Sequence, residues 1–541
     1  MSLTPNESSR PDGAPPQPEK EDETSLADTS FGERLRPSPE VARIVLRGAP
    51  YEAEVNGERI SCTETLTSLA QSTDYTAQVT RRIGERQPEL RSLGELGFHG
   101  FDRLLKSHTP LSWEQAYSLG AFICCTANHV LARQLTPVIR GHDRGLTDPD
   151  TLRLHAISLL QSVSTREALI GFAPKELAGL AAAVLELDTV VRVASPSDEP
   201  VFTFGGMGGD RGVRLAGSDR KPFSISTLAA LALSDFGPVH KHHSYPNTSR
   251  IAGQSAIEAL GARSDFNTAE AMAETLAASG LLMSSCHSTR TIHTISHVLK
   301  GETINHALGP AAVPHAAEVP LNALIGVNHN VHPATFIEAL VELDRRGVQR
   351  YGPSVAFCGI DRPLGELPLE LLDAAAYNRT PSLREYIVLD EVAPPPHTTL
   401  AAFLTPAGTR TVFISPTDFM TGPELASFKP EEVYIHNTAE AILRANREAL
   451  NALNLDKVNY LAMTVALGLF ARDYAGRNDA FIAPPDGGML RINPTLLRAC
   501  FQEARSSLLN GGARAQLNGY IAETQEACGG ASGASQTRNI A

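Results

Sequence analysis

Between Phe204 and Asp210 the chain reads Phe-Gly-Gly-Met-Gly-Gly-Asp, and four glycines in so short a space let the backbone approach something closely or turn a corner. The stretch follows the apolar run "PVFTF". It therefore sits at the carboxyl end of a predicted strand, where open α/β sheets bind ligands. Successive N–H groups there can converge on an anion, with Asp210 as a ligand for a hydroxyl or a metal-bound water. The pattern is neither the dinucleotide fingerprint nor the phosphate loop ending in Gly-Lys-Ser/Thr, and by itself it fits a structural turn as well as an anion cradle. Two further stretches bear on that choice. "FSIST" at 223–227 sets Ser224, Ser226 and Thr227 at the start of a predicted helix. Capping accounts for one hydroxyl, whereas three beside a glycine loop suit a phosphate at the positive end of the helix dipole. "PVHKHHSYPNTSRIAG" at 238–253 puts Lys241 after another short apolar run, followed by Ser244, Asn247, Thr248, Ser249 and Arg250 before a new helix. Each of the three segments follows a strand, so together they line one edge of a sheet.

The elements that must hold these residues follow from the apolar pattern. From Leu93 to about Leu187 apolar residues recur at i, i+3, i+4 and i+7, which predicts a helical domain over 96–195. Beyond Pro200, short runs such as "PVFTF", "PLNALIGV", "SVAFCGI" and "TRTVFIS" alternate with helical segments such as "PATFIEALVELDRRG". That alternation predicts a large α/β domain over 196–527, with a mostly parallel central sheet covered by helices. "LAMTVALGLFA" at 461–471 reads as a core helix, and the stretch after Leu497 as two helices or one interrupted helix. Residues 1–40 hold seven prolines, nine acidic and four basic residues, and almost no large apolar groups, which predicts a disordered tail. Residues 41–95 read as a small appended region with a strand pair at 43–55, and 528–541 as a flexible tail.

Composition excludes several functions. With 42% hydrophobic and 20% charged residues the 541-residue chain is globular, and no apolar run reaches membrane-spanning length. The amino terminus has no secretory pattern, so the expected location is the cytoplasm. Seven irregularly spaced cysteines make no disulfide framework, and the neighbours Cys124 and Cys125 read as buried thiols. A net charge of −13 opposes sequence-independent binding to nucleic acid.

The motifs "GMGGD", "FSIST", "KHHSYPNTSRIAG" and "EALG" resemble, in order, the phosphoribosyl-diphosphate site of anthranilate phosphoribosyltransferase, a glycosyl transferase family 3 enzyme related to the nucleoside phosphorylases. "INHALGPAAVP" at 304–314, "VLDEV" at 388–392 and "NTAEAI" at 437–442 continue the resemblance, which runs over about 100–525. It implies that Gly206, Gly208, Gly209 and Asp210 cradle the diphosphate and ribose, and that Ser224 and Thr227 sit at phosphate-contact positions. It implies that Lys241 meets the donor phosphates, and that Thr248 or Ser249 meets the 5'-phosphate. Ser226, Asp390 and Glu391 would hold magnesium, Ser244 and Asn305 would contact substrate, and Lys241 with Asp210 would carry the catalysis. The implied reaction is transfer of a ribosyl phosphate from phosphoribosyl diphosphate, or a related phosphorylated sugar, to a small acceptor, in a homodimer.

The chain also departs from the pattern. Met207 stands where the family has threonine, Ser224 where it has asparagine, and His243 with Ser244 where it has Gly-Asn. The connection at 210–223 is longer and adds Arg211, Arg214, Arg220 and Lys221, which read as a solvated loop or as extra contacts to a polyanion. The family's acceptor-binding arginine has no counterpart in "TISHVLKGETIN", so the expected acceptor is not anthranilate. An alternative is a non-catalytic nucleic-acid-binding protein on the same fold. His287, His293 and His297 raise a zinc reading, opposed by the lack of a glutamate after His293, and most simply line the acceptor pocket or pack.

Overall fold

The computed structural model describes residues 52–55, 58–140, 148–195, 197–208, 220–246, 251–299, 303–483 and 489–529. Helices come first: α1 (Cys62–Ser72), α2 (Tyr75–Glu85), α3 (Gln87–Leu105), α4 (Trp113–Cys124), α5 (His129–Arg140), α6 (Pro149–Ile170) and α7 (Pro174–Ala183). Helical structure thus starts about thirty residues before Leu93, where the periodicity becomes legible. The strand pair lies at Glu52–Val55 and Glu58–Ser61, and the part of it expected before residue 52 lies outside the described residues. The reason the early helices are hard to read is that they bury little. α1 sinks only Cys62, Thr65 and Leu69, and α2 only Tyr75 and Val79. Polar contacts tie them down instead. Arg86 donates from Nη2 and Nε to the Glu186 carboxylate at 2.8 and 2.9 Å, and Tyr117 Oη donates to it at 3.0 Å.

The sheet has ten strands: β1 (Val201–Gly206), β2 (Val239–His243), β3 (Leu281–Ser285), β4 (Leu321–Gly326), β5 (Val355–Ile360), β6 (Ile387–Leu389), β7 (Thr398–Thr405), β8 (Gly408–Ile414), β9 (Phe481–Ile482) and β10 (Arg491–Ile492). Their order is β9-β10-β8-β7-β5-β4-β1-β2-β3, with β6 on β5. The run β5-β4-β1-β2-β3 is parallel throughout, and the pairings β5–β7, β7–β8, β5–β6 and β9–β10 are antiparallel. Two residues, Pro406 and Ala407, separate the Thr405–Gly408 pair, and so short a connection permits only an antiparallel neighbour.

Alternate residues of each strand enter different apolar layers. Val201, Leu282, Ile325 and Cys358 pack with the helices α3–α7 and α8 (Pro333–Arg345), whereas Phe202, Phe204, Val239 and Leu324 pack with α9 (Leu455–Asp473) and α10 (Pro494–Leu509). Burial on both faces is what turns these strands into continuous apolar runs. Among the described residues no helix is long and apolar enough to cross a membrane.

The parallel half ends in a tight crossing. β1 and β4 are paired with Gly206 opposite Gly326, and the chain leaving β6 passes over both. A Cβ at Gly326 would lie 1.7 Å from the Asp390 carbonyl oxygen, so no side chain fits there. Gly326→Ala is expected to lower stability by about 3 kcal/mol or more. Gly365→Ala, where a Cβ meets nothing within 4 Å, should leave the denaturation midpoint unchanged.

Candidate functional site

A cavity of about 550 Å³ opens at the carboxyl ends of the parallel strands, the edge at which such sheets bind ligands. Gly206, Met207 and Gly208 enter it from the end of β1, and Ser224, Ser226 and Thr227 from the start of helix Ile225–Leu233. Lys241, His242 and His243 enter from the end of β2, with Ser244 just beyond. Asn305 and His306 come from helix Asn305–Ala311, and Asp390 and Glu391 from the segment after β6. The described residues to which the resemblance gives a role therefore line one cavity, whereas Arg220 and His287 are not among its described lining. Gly209, Asp210, Thr248 and Ser249 lie outside the described residues, as do Arg211, Arg214, Asn247, Arg250 and the His297 side chain.

The Asp390 carboxylate is pinned by the glycine loop, with the Gly208 N–H donating to Oδ2 at 2.6 Å. Gly208 adopts φ +71°, a left-handed conformation that glycine takes without cost and that turns this N–H toward the carboxylate. A Cβ at Gly206 would lie 2.6 Å from the same Oδ2 and 4.0 Å from Ser226 Oγ, so Asp390 fills the space that a side chain would need. Met207 carries no polar group into this arrangement. It is 4% exposed, belongs to the apolar core, and donates its N–H to the Gly326 carbonyl at 3.0 Å.

Lys241 lies within β2, opposite Phe204 and Met283, rather than in a loop after a strand. Its Nζ stands 5.4 Å from the Phe204 ring centre. Burial pulls its pKa down to about 8, against the nearby Glu391 and Asp390 carboxylates, which hold it up. Two buried carboxylates thus act on one ammonium, and their hard oxygens are of the type that suits a divalent cation. Asp390, Glu391 and the Ser226 hydroxyl suit magnesium, which needs few protein ligands when phosphate oxygens and waters complete its octahedron. Among the described residues no cluster of three His, Cys, Asp or Glu could hold a metal by itself.

Burial holds the imidazoles of His242 and His243 in the neutral form. His243 is driven down to about 3, by burial first and then by Lys241. It fills the space over Gly253, where a Cβ would lie 3.1 Å from both His243 Nδ1 and Thr227 Oγ1. His242 is held well below its usual range by burial and by Arg290, whose Nη2 donates to His242 Nδ1 at 3.0 Å. The His242 Nε2–H then donates to Thr289 Oγ1 at 2.8 Å.

Three expected contacts have structural uses. Ser224 is clamped by Asn446: its N–H donates to Oδ1 at 3.1 Å, and its hydroxyl accepts from Nδ2 at 3.2 Å. Asn305 donates from Nδ2 to the Ile292 carbonyl at 3.1 Å, so it orders the segment beside it. Arg220 reaches the Tyr434 carbonyl at 3.4 Å within an antiparallel pair, 220–222 with 434–436, that brings Lys221 and Asn437 to the cavity. His306, whose Nε2 meets Glu167 Oε1 at 2.8 Å, and Tyr245 also line the cavity, and no spacing in the sequence points to either.

Fold and cleft together define an open α/β protein with a polar cleft at the carboxyl ends of its parallel strands. No family model matches the chain. It is 30% identical over 190 residues to the anthranilate phosphoribosyltransferase of Lactiplantibacillus plantarum, a stretch equal to 34% of this chain and 50% of that one. The chain thus spans about half the length of the curated relative it matches. Among solved structures, anthranilate phosphoribosyltransferase from Saccharomyces cerevisiae in complex with PRPP and Mg is similar with a TM-score of 0.49 and 16% identity, over 79% of this chain and 98% of that one. The enzyme from Thermus thermophilus gives 0.48 and 19%, over 79% and 99%. The curated relative carries the name of the enzyme that the sequence motifs resemble.

Lys241 yields a pH test. Its charged form is favoured below about pH 8 and lost above it, so affinity for inorganic diphosphate should fall as pH rises through that value. Lys241→Arg, which stays charged, should hold its affinity over the same range in calorimetric titrations.

Proposed function

We propose that the protein is a magnesium-dependent phosphoribosyltransferase that moves a ribosyl phosphate from a diphosphate-activated donor to a small acceptor other than anthranilate. One observation carries this reading. The glycine loop, Ser226, Lys241 and the Asp390–Glu391 pair, which follow one another in the order of the resembled family, line a single cavity. The same reading expects a cytoplasmic homodimer.

In such a transfer the bond from the anomeric carbon to the diphosphate oxygen breaks, and the electron pair leaves with diphosphate. The acceptor's lone pair then closes on an oxocarbenium-like sugar, and the acceptor loses a proton to solvent or to a nearby base. In this reading the Lys241 ammonium would meet the charge that grows on the leaving group, and in a buried cleft its field is weakly screened. Magnesium, when bound, neutralises phosphate charge. The Gly208 N–H fixes Asp390, and the hydroxyls of Ser226 and Thr227 face the region where the donor's oxygens would sit. His243, neutral down to about pH 3, is a wall of the cleft and not a proton donor.

The acceptor side supports a substrate without a carboxylate. Lys221 and Lys241 are the only lysines among the described lining residues, and no arginine joins them. His293, 6% exposed, lines that side, with its Nε2 3.5 Å from where a Cβ of Gly309 would be.

Calorimetric titration with phosphoribosyl diphosphate and magnesium tests the reading. Wild type should bind, and the double variant Asp390→Ala/Glu391→Ala should lose the magnesium dependence. Lys241→Ala should weaken binding by roughly tenfold or more, the scale of a lost charge-assisted contact. Failure of wild type to bind the donor, with steeply salt-dependent binding of single-stranded nucleic acid in its place, would overturn the proposal.

A further inference from the structure

A second cavity, of about 530 Å³, lies between α1, the start of α2 and the turn that joins α4 to α5. Its roof is one stripe of α1, on which Thr63, Leu66, Thr67 and Ala70 recur at helical spacing. The buried stripe of the same helix is Cys62, Thr65 and Leu69. The helix therefore presents a second, partly apolar face to the chamber, on which Leu66 and Ala70 also pack against the core and Thr67 is exposed. Val190, His287 and Thr291 make the floor, and Ala127 to Val130 close one side.

The polar groups deep in the wall are used up by the protein. Tyr75 Oη donates to the Leu187 carbonyl at 2.5 Å, and Asn128 Nδ2 donates to Asp188 Oδ1 at 3.1 Å. The Thr291 hydroxyl also donates to Asp188. What they offer a ligand is mainly van der Waals surface. Among the described lining residues the one carboxylate is Asp74, which is exposed, and there is no lysine or arginine. Arg153 reaches His129 Nδ1 at 3.3 Å without being part of the lining. The volume is that of a small-molecule site, and the charge distribution disfavours an anion.

His287 forms the partition between the two cavities. Its ring stacks on Tyr245 with centres 5.8 Å apart and meets His293 edge-on at 6.1 Å, and both of those residues line the first cavity.

We propose that this chamber is a second ligand site, distinct from the cleft, for a compact and largely apolar ring compound that is neutral or carries an amine. The proposal does not rest on the transferase reading, because none of the residues of the roof belongs to that cleft. Benzyl alcohol, benzylamine and benzoate form a charge series of similar size, and their binding to the full-length protein can be followed by saturation-transfer NMR. The alcohol and the amine should bind, and benzoate roughly tenfold more weakly or not at all. Thr67→Phe and Ala70→Phe fill the chamber from the accessible side of α1, and melting curves verify that each folds. Each should weaken binding of the alcohol and the amine by a similar factor, while affinity for inorganic diphosphate stays at its wild-type value. No binding of any probe, a preference for benzoate, or unchanged binding in the folded filling variants would overturn the proposal. Failure of diphosphate to bind wild type would concern the first cavity alone.

Discussion

The cleft depends on one close approach. The strands β1 and β4 lie side by side and end at the same level in Gly206 and Gly326, which leaves a slot with no side chains. The segment after β6 runs through that slot, with the Asp390 carbonyl over Gly326 and its carboxylate over Gly206. Any Cβ at either position would push the acidic pair away from the glycine loop and from Ser226. Two glycines 120 residues apart in the chain act as a single structural feature, because parallel pairing sets them in register.

Placing the acids there has an electrostatic consequence. Buried charges are costly unless compensated, and both the Lys241 ammonium and the Gly208 N–H act on the acidic pair. The pair brings hard oxygen donors into the cleft beside the Ser226 hydroxyl. The histidines that crowd the end of β2 escape the same cost by staying neutral, since burial and the neighbouring cations Lys241 and Arg290 hold their pKa values down. An imidazole in the place of the family's glycine thus narrows the cleft without adding charge to it.

Much of the architecture was legible because strands buried on both faces leave unbroken apolar runs. "PVFTF", "PLNALIGV" and "SVAFCGI" each became a strand, and "LAMTVALGLFA" lies inside the buried helix α9. The early helices α1 and α2 were not legible, because ion pairs and hydroxyl contacts hold them where an apolar stripe would normally do so. The site was legible as a set of residues and illegible as a set of contacts. Ser224 looks like a free phosphate-binding hydroxyl until Asn446, 222 residues away, is seen to hold it. Met207 looks like a lost hydroxyl in the cradle, and it is a core side chain on a backbone that still forms the loop.

The amino-acid sequence by itself determined which chemical groups are present, their order, and the strand-end context that brings them toward one sheet edge, since these follow from local patterns of apolar and small residues. Only the tertiary structure decided which groups meet and in what ionisation state. Contact is set by chain crossings such as that of Asp390 over Gly326, and ionisation by desolvation and by neighbouring charges, as for Lys241 at about 8 and His243 at about 3. Neither quantity exists until segments far apart in the chain have closed around the same volume.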